Sequence, residues 1–234
     1  MAPVNDPHKA STISISNGNV VTAQAGSTNR AKTKLYSGAV ESVIWGAPIA
    51  SVYIMREAFF RDAKAEYNDI VYWSKPADGK VKLTAPNAAT CYVYFNFNTK
   101  DGPMVLDLPE ASGAGLFGTI LDAWQIPLTD VGPEGDDKGR GGKYLVLPPG
   151  SRELPEGYFT IPSETYNGYA VFRAIPTSSS QADRDIAIDL VKKIRLYPLA
   201  NAADPPAQKH IDMAGQLMDG VVHFDETFFF VLRK

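Results

Sequence analysis

The stretch Asp130–Gly150, DVGPEGDDKGRGGKYLVLPPG, places glycines, carboxylates, a lysine and an arginine in one loop ahead of an apolar run. A phosphate cradle needs G-x-x-x-x-G-K-S/T between a strand and a helix, so that main-chain amides and the helix N-terminus face the anion. Here Gly141-Gly142-Lys143 is followed by Tyr144 and a β-like segment, so nucleotide binding is not expected. Glu134, Asp136 and Asp137 offer hard oxygen ligands for calcium, but the alternating EF-hand spacing with a distal Glu is absent, and Lys138 and Arg140 oppose a nearby cation. The expectation is no cofactor and no metal, calcium being the one ion the loop could take. The loop then reads as a long inter-strand connection, a pocket rim over Asp130–Gly142 and core over Tyr144–Pro149, with Arg140 and Lys143 as candidates to hold negative charge.

Asp122 and Trp124 in LDAW share a face if the segment is a strand, because side chains alternate with period two. An acid beside an aromatic plate can hold a sugar or small alcohol, or serve as a general acid/base. The competing reading has Trp124 in the core and Asp122 bonded to a backbone amide or a basic residue. Asn87 follows Pro86 at a strand start, where it either caps a turn or meets a ligand. Tyr92, in the aromatic run Tyr92–Phe97, belongs to sheet core or rim. Together Asn87, Tyr92, Asp122, Trp124, Arg140 and Lys143 make the candidate cleft. His210, Asp212, His223 and Asp225 form a loose H-x-D…H-x-D pattern in the tail. No G-x-S-x-G elbow occurs. Cys91, the only cysteine, excludes an internal disulfide and a thiolate zinc site, and its setting in a strand points to a buried thiol.

Several elements must position these residues. The first thirty or so residues, rich in Ser, Thr, Asn, Ala and Gly, read as a flexible arm with a short strand near Thr12–Ser16. Val40, Val43, Ile44, Ala47, Val52, Met55 and Phe59 have the spacing of a buried helix face, with Pro48 expected to kink or split the helix. From Lys80 the texture becomes β: VKLTAPNAATCYVYFNFNTKDGPMVLDLP reads as two strands joined by an Asp-Gly hairpin turn. Further strands are expected at LFGTILDAW, GKYLVLPP, GYFTIPS and YAVFRAIP. Ser180 and Asp183 open a helix with Ile186, Leu190, Val191 and Ile194 on one face, stopped by Pro198. The tail FDETFFFVLRK opens as an amphipathic helix with Asp225 as a possible cap, and Phe228, Phe229 and Phe230 demand cover.

With 44% apolar residues the chain can build a core, and a net charge of -3 gives no general attraction to nucleic acid. The start MAPVNDPHKASTISISNGN lacks the basic and apolar regions of a signal peptide, and no stretch approaches transmembrane length, so no membrane span is expected. The chain reads as soluble: cytoplasmic as it stands, periplasmic or secreted if a leader has been removed.

AVESVIWGAPIASVYIMR, TAPNAATCYVYFNFN, GPMVLDLPE, TILDAWQIPLTDVG, GDDKGRGGKYLVLPPG and RLYPL occur in series. Over about Leu35–Leu199 they resemble the domain-of-unknown-function family 1254. The resemblance implies a β-rich N-terminal domain, usually followed by a second β-sandwich domain, which this chain is expected to lack. It also implies a bacterial, often exported and oligomeric protein.

The expected fold class is α+β: an antiparallel β-rich sheet or sandwich with a kinked N-terminal helix and one later helix packed on it. Residues 1–33 form the arm, 34–199 the β-rich domain, and 200–234 a linker opening a truncated or partner-docking segment. The leading function is ligand binding or assembly through a polar cleft for a small polar molecule. The alternatives are a hydrolase-like enzyme using Asp122 on polar or ester substrates, or a structural subunit of an oligomer. A homo-oligomer, second domain or subunit is expected to cover Phe228–Phe230.

Overall fold

The computed structural model describes residues 25–83, 90–152 and 155–233. The short strand expected at Thr12–Ser16 and the site candidate Asn87 lie outside the described residues. The chain divides into two units, Met1–Ile44 and Trp45–Lys234. The first unit is described from Ala25 onward and is wholly helical there, so helix starts inside the segment expected to be an arm. Its Leu35, Tyr36 and Ile44 are strongly exposed.

Helix α1 (Ala25–Asp62) is one element, and Pro48 does not split it. The Pro48 ring removes one helical donor, and its carbonyl accepts a bond from the Gln125 side chain at 2.9 Å. Between Lys34 and Arg56 the single formal charge is Glu41. Contrary to the sequence expectation, the segment Asn29–Asp62 is therefore long and apolar enough, by length and composition, to cross a membrane.

The second unit carries the sheets. Strands follow in the order β1 (Ile70–Tyr72), β2 (Val81–Lys82), β3 (Cys91–Asn98), β4 (Met104–Leu108), β5 (Ala114–Asp122), β6 (Pro127–Val131), β7 (Gly142–Leu147), β8 (Phe159–Pro162) and β9 (Asn167–Pro176). Helix α2 (Gln181–Val191) precedes β10 (Arg195–Pro198), β11 (His210–Asp212), β12 (Met218–Asp219) and the short helix α3 (Thr227–Val231). A six-stranded sheet has the order β11-β1-β3-β9-β5-β6, a four-stranded sheet the order β10-β4-β7-β8, and β12 pairs with β2. The class is α+β as expected, but the sheets are mixed: β1–β11, β7–β8 and β2–β12 run parallel.

The expected Asp-Gly hairpin does not form. β3 pairs with β1 and β9, whereas β4 pairs with β7 and β10, so the turn around Gly102 carries the chain from one sheet to the other. Apolar residues on both faces of β3 explain this. Val93, Phe95 and Phe97 enter a core shared with the four-stranded sheet and α2. Tyr94, on the opposite face, packs in a second cluster with Val52, Ala58 and Phe59 of α1. β9 alternates in step: Ala170, Phe172 and Ala174 point inward, and Tyr169, Val171 and Arg173 outward. α2 is capped by the Ser180 hydroxyl, which accepts from the Asp183 amide at 3.1 Å. It ends at Val191, earlier than expected, because Arg195–Pro198 extends to pair with β4. Within the helix, Ala187, Leu190 and Val191 are the buried residues, while Ile186 is exposed.

The segment expected to be a linker holds two strands and α3. α3 folds back within this unit. Phe228 is buried, and a Cβ added at Gly46 would lie 2.7 Å from the Leu232 methyl groups. Phe229 and Phe230 stay exposed.

Close approach between strands β5 and β9 makes a checkable demand on one glycine. A Cβ at Gly118 would fall 1.8 Å from the Phe172 ring and 2.6 Å from the Val171 carbonyl oxygen. Gly118→Ala is expected to cost about 1–3 kcal/mol of stability, seen as a lower urea midpoint; an unmoved midpoint would contradict this packing.

Candidate functional site

The residues singled out in the sequence do not converge. Asp122 closes β5 and is 2% exposed. Its Oδ1 accepts from the Trp124 amide at 2.8 Å and the Ile126 amide at 2.9 Å. Asp122 therefore builds the β5–β6 turn, in the way Asx side chains fix tight turns. The strand ends there, so Trp124 does not share a strand face with it. Trp124 instead packs against Trp45, with ring centroids 4.8 Å apart. The acid/base role expected for Asp122 has no geometric basis, because its carboxylate is committed to main-chain amides.

The glycine-rich loop has the same logic. Asp137 is 3% exposed, accepting from the Gly132 amide at 2.8 Å and the Gly141 amide at 3.1 Å. Asp136 accepts from the Thr129 hydroxyl at 2.9 Å. Two of the glycines are dictated by backbone contacts: Gly132 (φ +108) and Gly141 (φ +69) would each bring a Cβ within 2.5 Å of a carbonyl oxygen. No group of three metal-ligating side chains forms among the described residues. Arg140 is exposed, and Lys143 lies 4.0 Å from Asp107, a neighbour across β4–β7, rather than meeting Asp136 or Asp137.

The tail motif also belongs to the fold. His210 and Asp212 sit in β11; the His210 Nε2 lies 3.1 Å from the Ile194 carbonyl, and Asp212 accepts from the Ser74 and Ala214 amides. Asp225 accepts from the amide and hydroxyl of Thr227 at the start of α3. Burial raises the Cys91 thiol above its ordinary value, as its strand setting led us to expect.

Of the five candidates among the described residues, Tyr92 lines the aromatic cavity, and the other four do not. The cavity, about 370 Å³, lies between α1 residues Ser51–Phe59 and the outer face of the six-stranded sheet. Tyr92 and Tyr94 of β3, with Tyr169, Val171 and Arg173 of β9, form its floor; Trp73 and Leu83 add to the wall. Alternation along both strands puts these residues on one face. Phe59 stacks on Tyr94 at 4.2 Å, nearly parallel, and Tyr94 on Tyr169 at 5.4 Å. The edge of Phe59 meets Trp73 at 6.1 Å.

Two polar groups of this lining are buried without a hydrogen-bond partner: the Trp73 indole Nε1 and the Tyr94 hydroxyl. Burial, with Tyr169 adding to it, keeps the Tyr94 phenol far above its usual value. The Tyr169 phenol is pushed up to about 12 by burial and the nearby Asp122 charge. Both rings are therefore neutral at physiological pH. The Arg173 guanidinium lies 5.4 Å from the Tyr92 ring centroid and joins no ion pair among the described residues.

A second cavity of about 220 Å³ borders the overlapping stretch Ile49–Arg56 of the same helix, and Val52 lines both. Val231 and Leu232 close it. Arg56 donates there to the Tyr67 hydroxyl at 2.8 Å and to Glu57 at 3.0 Å, and Tyr67 donates to Asn167 at 2.9 Å. The two terminal nitrogens of Arg56 are thereby paired within the protein, while its Nε is buried without a partner.

Sequence reasoning missed Trp73, Tyr94, Tyr169 and Arg173 as a set. The usable signal was Arg173, a lone charge inside the apolar strand YAVFRAIP, at an alternating position with Tyr169.

The model of a protein family of unknown function, DUF1254, matches residues 67–198, more than half of the chain. No curated protein matches. Among solved structures, a Vibrio parahaemolyticus protein aligns at a TM-score of 0.56 with 11% identity, covering 82% of this chain and 44% of its own. A putative uncharacterized Burkholderia cenocepacia protein aligns at 0.36 with 12% identity, covering 69% of this chain and 43% of its own. The chain thus spans less than half the length of either, and the first likeness is one of fold.

Two expectations follow from these contacts. Asp122→Ala strands two amides and is expected to cost about 1–3 kcal/mol, whereas Asp122→Asn, whose amide oxygen can still accept, loses less; equal losses would contradict the turn role. Burial holds the His210 imidazole below 6.5, partly offset by the bond to the Ile194 carbonyl. A histidine depressed on folding contributes fully above its unfolded value and loses that contribution as pH falls, because the unfolded chain takes the proton more readily. His210→Gln should therefore show a smaller fall in urea midpoint than wild type between pH 7 and pH 5.

Proposed function

The chain belongs to the DUF1254 family, and we propose that its second unit is a small-molecule binding domain whose ligand occupies the aromatic cavity under α1. The observation that carries this reading is the pair of orphaned polar groups, Trp73 Nε1 and Tyr94 OH, in its lining. Buried polar groups in native proteins are almost always paired, and leaving one unpaired costs about 1–3 kcal/mol. Both atoms are covered by the ring packing, so a ligand with hydrogen-bond acceptors would satisfy them where its entry parts those rings. The half-buried Met55, Leu83, Tyr92 and Val171 offer apolar surface to its body, in keeping with small-molecule sites that are mostly apolar with a few polar groups.

This departs from the polar cleft anticipated around Asp122, Arg140 and Lys143. Binding is favoured over hydrolysis because the Asp122 carboxylate is engaged in a turn and, among the described residues, the cavity lining carries no acid.

The reading makes opposite demands on stability and affinity at one residue. Tyr94→Phe removes an unsatisfied hydroxyl and keeps the stacking ring, so the empty protein should gain about 1 kcal/mol of stability. Binding of the neutral aromatic probe 2-naphthamide, measured by calorimetry, should weaken by about fivefold to tenfold. Val171→Trp, which fills the cavity, should abolish binding of the probe. A Tyr94→Phe protein that loses stability, or a wild type that does not bind the probe, would overturn the proposal.

A further inference from the structure

The chemical class of the occupant can be taken one step further, resting on the reading of the cavity as a binding site. We infer that the cavity is selective for an aromatic monocarboxylate, its ring between the α1 side chains and the tyrosine floor and its carboxylate on Arg173. Three observations converge on this.

The first is charge. Among the described residues no Asp or Glu lines the cavity, and Arg173 is its one ionised side chain. Asp130 and Glu134 line a shallower groove that also borders Arg173, yet neither forms an ion pair with it. Asp130 accepts from the Thr119 hydroxyl at 2.7 Å instead. A guanidinium presents a planar fork of N–H donors that fits a carboxylate in two parallel bonds. A phosphate dianion would call for more positive charge than a single arginine supplies.

The second is the polarity of the interior. An indole N–H can only donate, so any ligand group that reaches Trp73 Nε1 must be an acceptor. A cationic amine brings only donors, and although aromatic faces attract cations, Arg173 opposes one at the same mouth.

The third is shape. Phe59, Tyr94 and Tyr169 are stacked with small interplanar angles of 9° and 22°. Tyr92 and Tyr94 follow on the same face of β3, about 7 Å apart along the strand. The Phe59, Tyr94 and Tyr169 rings face one another and are buried, so the accessible floor is the half-buried Tyr92 and Val171, and Arg173 sits across β3–β9 from Tyr92, at the end away from the stack. A planar ring with a carboxylate at one edge matches this order of contacts.

The test is calorimetric titration of one protein with three isosteres: 2-naphthoate, 2-naphthamide and 2-naphthylmethylammonium. The expected order at low salt is naphthoate tighter than naphthamide by about tenfold or more, and the ammonium weakest. Arg173→Gln should bring naphthoate down to the naphthamide affinity and leave naphthamide unchanged. Arg173→Lys should restore part of the difference. A thermal midpoint near that of wild type would show that the variants are folded. Equal binding of naphthoate and naphthamide by wild type, or an acid preference that survives Arg173→Gln, overturns the carboxylate assignment alone. Failure of all three ligands to bind wild type overturns the cavity reading with it.

Discussion

Strand β3 is apolar on both faces, and the rest of the second unit is arranged around covering it twice. Its inward side chains meet the four-stranded sheet and α2. Its outward ones are met by the α1 residues that include Val52 and Phe59. A sheet with only one face covered would expose Tyr94, Tyr169 and Val71 as a contiguous apolar patch, of the kind that drives association. The second cover is a single helix laid on a broad sheet, and a cylinder on a twisted surface makes a narrow line of contact. Large rigid rings hold the two apart on either side of that line. The cavities on the two sides of Val52 are thus a geometric result of the same packing that protects the sheet.

Two buried carboxylates show how chemistry-rich sequence can serve architecture. Asp122 and Asp137 each accept from two main-chain amides, in the β5–β6 turn and the glycine-rich loop respectively. A carboxylate is suited to this because it carries several acceptor sites and charge-assisted bonds to amides are strong. The glycines around Asp137 let the backbone fold closely enough for those amides to reach it. What resembles a phosphate or metal loop is thereby a self-satisfied turn, with the acid playing the anion that its own amides enclose.

Local patterns in the sequence translated well into local structure. The alternation of Val93, Phe95 and Phe97 against Tyr92 and Tyr94 is the alternation of two faces, and Ser180 does cap α2. Strand partners were less legible. The Asp-Gly turn at Gly102 fits a hairpin chemically, but both of its strands find better partners far along the chain. The early start of α1 was hidden by Ser, Thr and Asn residues of modest helix propensity, and its apolar length by Pro48 and two glycines. The cavity could not be read directly, because Trp73, Tyr94 and Arg173 meet only once β1, β3 and β9 are paired and a helix lies over them. Arg173 alone carried a hint, as a charge where the strand pattern permits one on a covered face.

The parallel pairing of β1 with β11 has a consequence for the order of assembly. Ile70 is in register with His210, 140 residues further along the chain. Synthesised from the N-terminus, β1 and β3 are complete long before their sheet has its last strand, and for that interval the outer edge of β1 carries unpaired amides and carbonyls. Contacts of such sequence separation are slow to form, since a long loop must close before they are rewarded. The late C-terminal segment is in this sense the latch of the sheet: it covers the edge of β1 that stood open during synthesis and leaves the three-residue β11 as a short edge in its place.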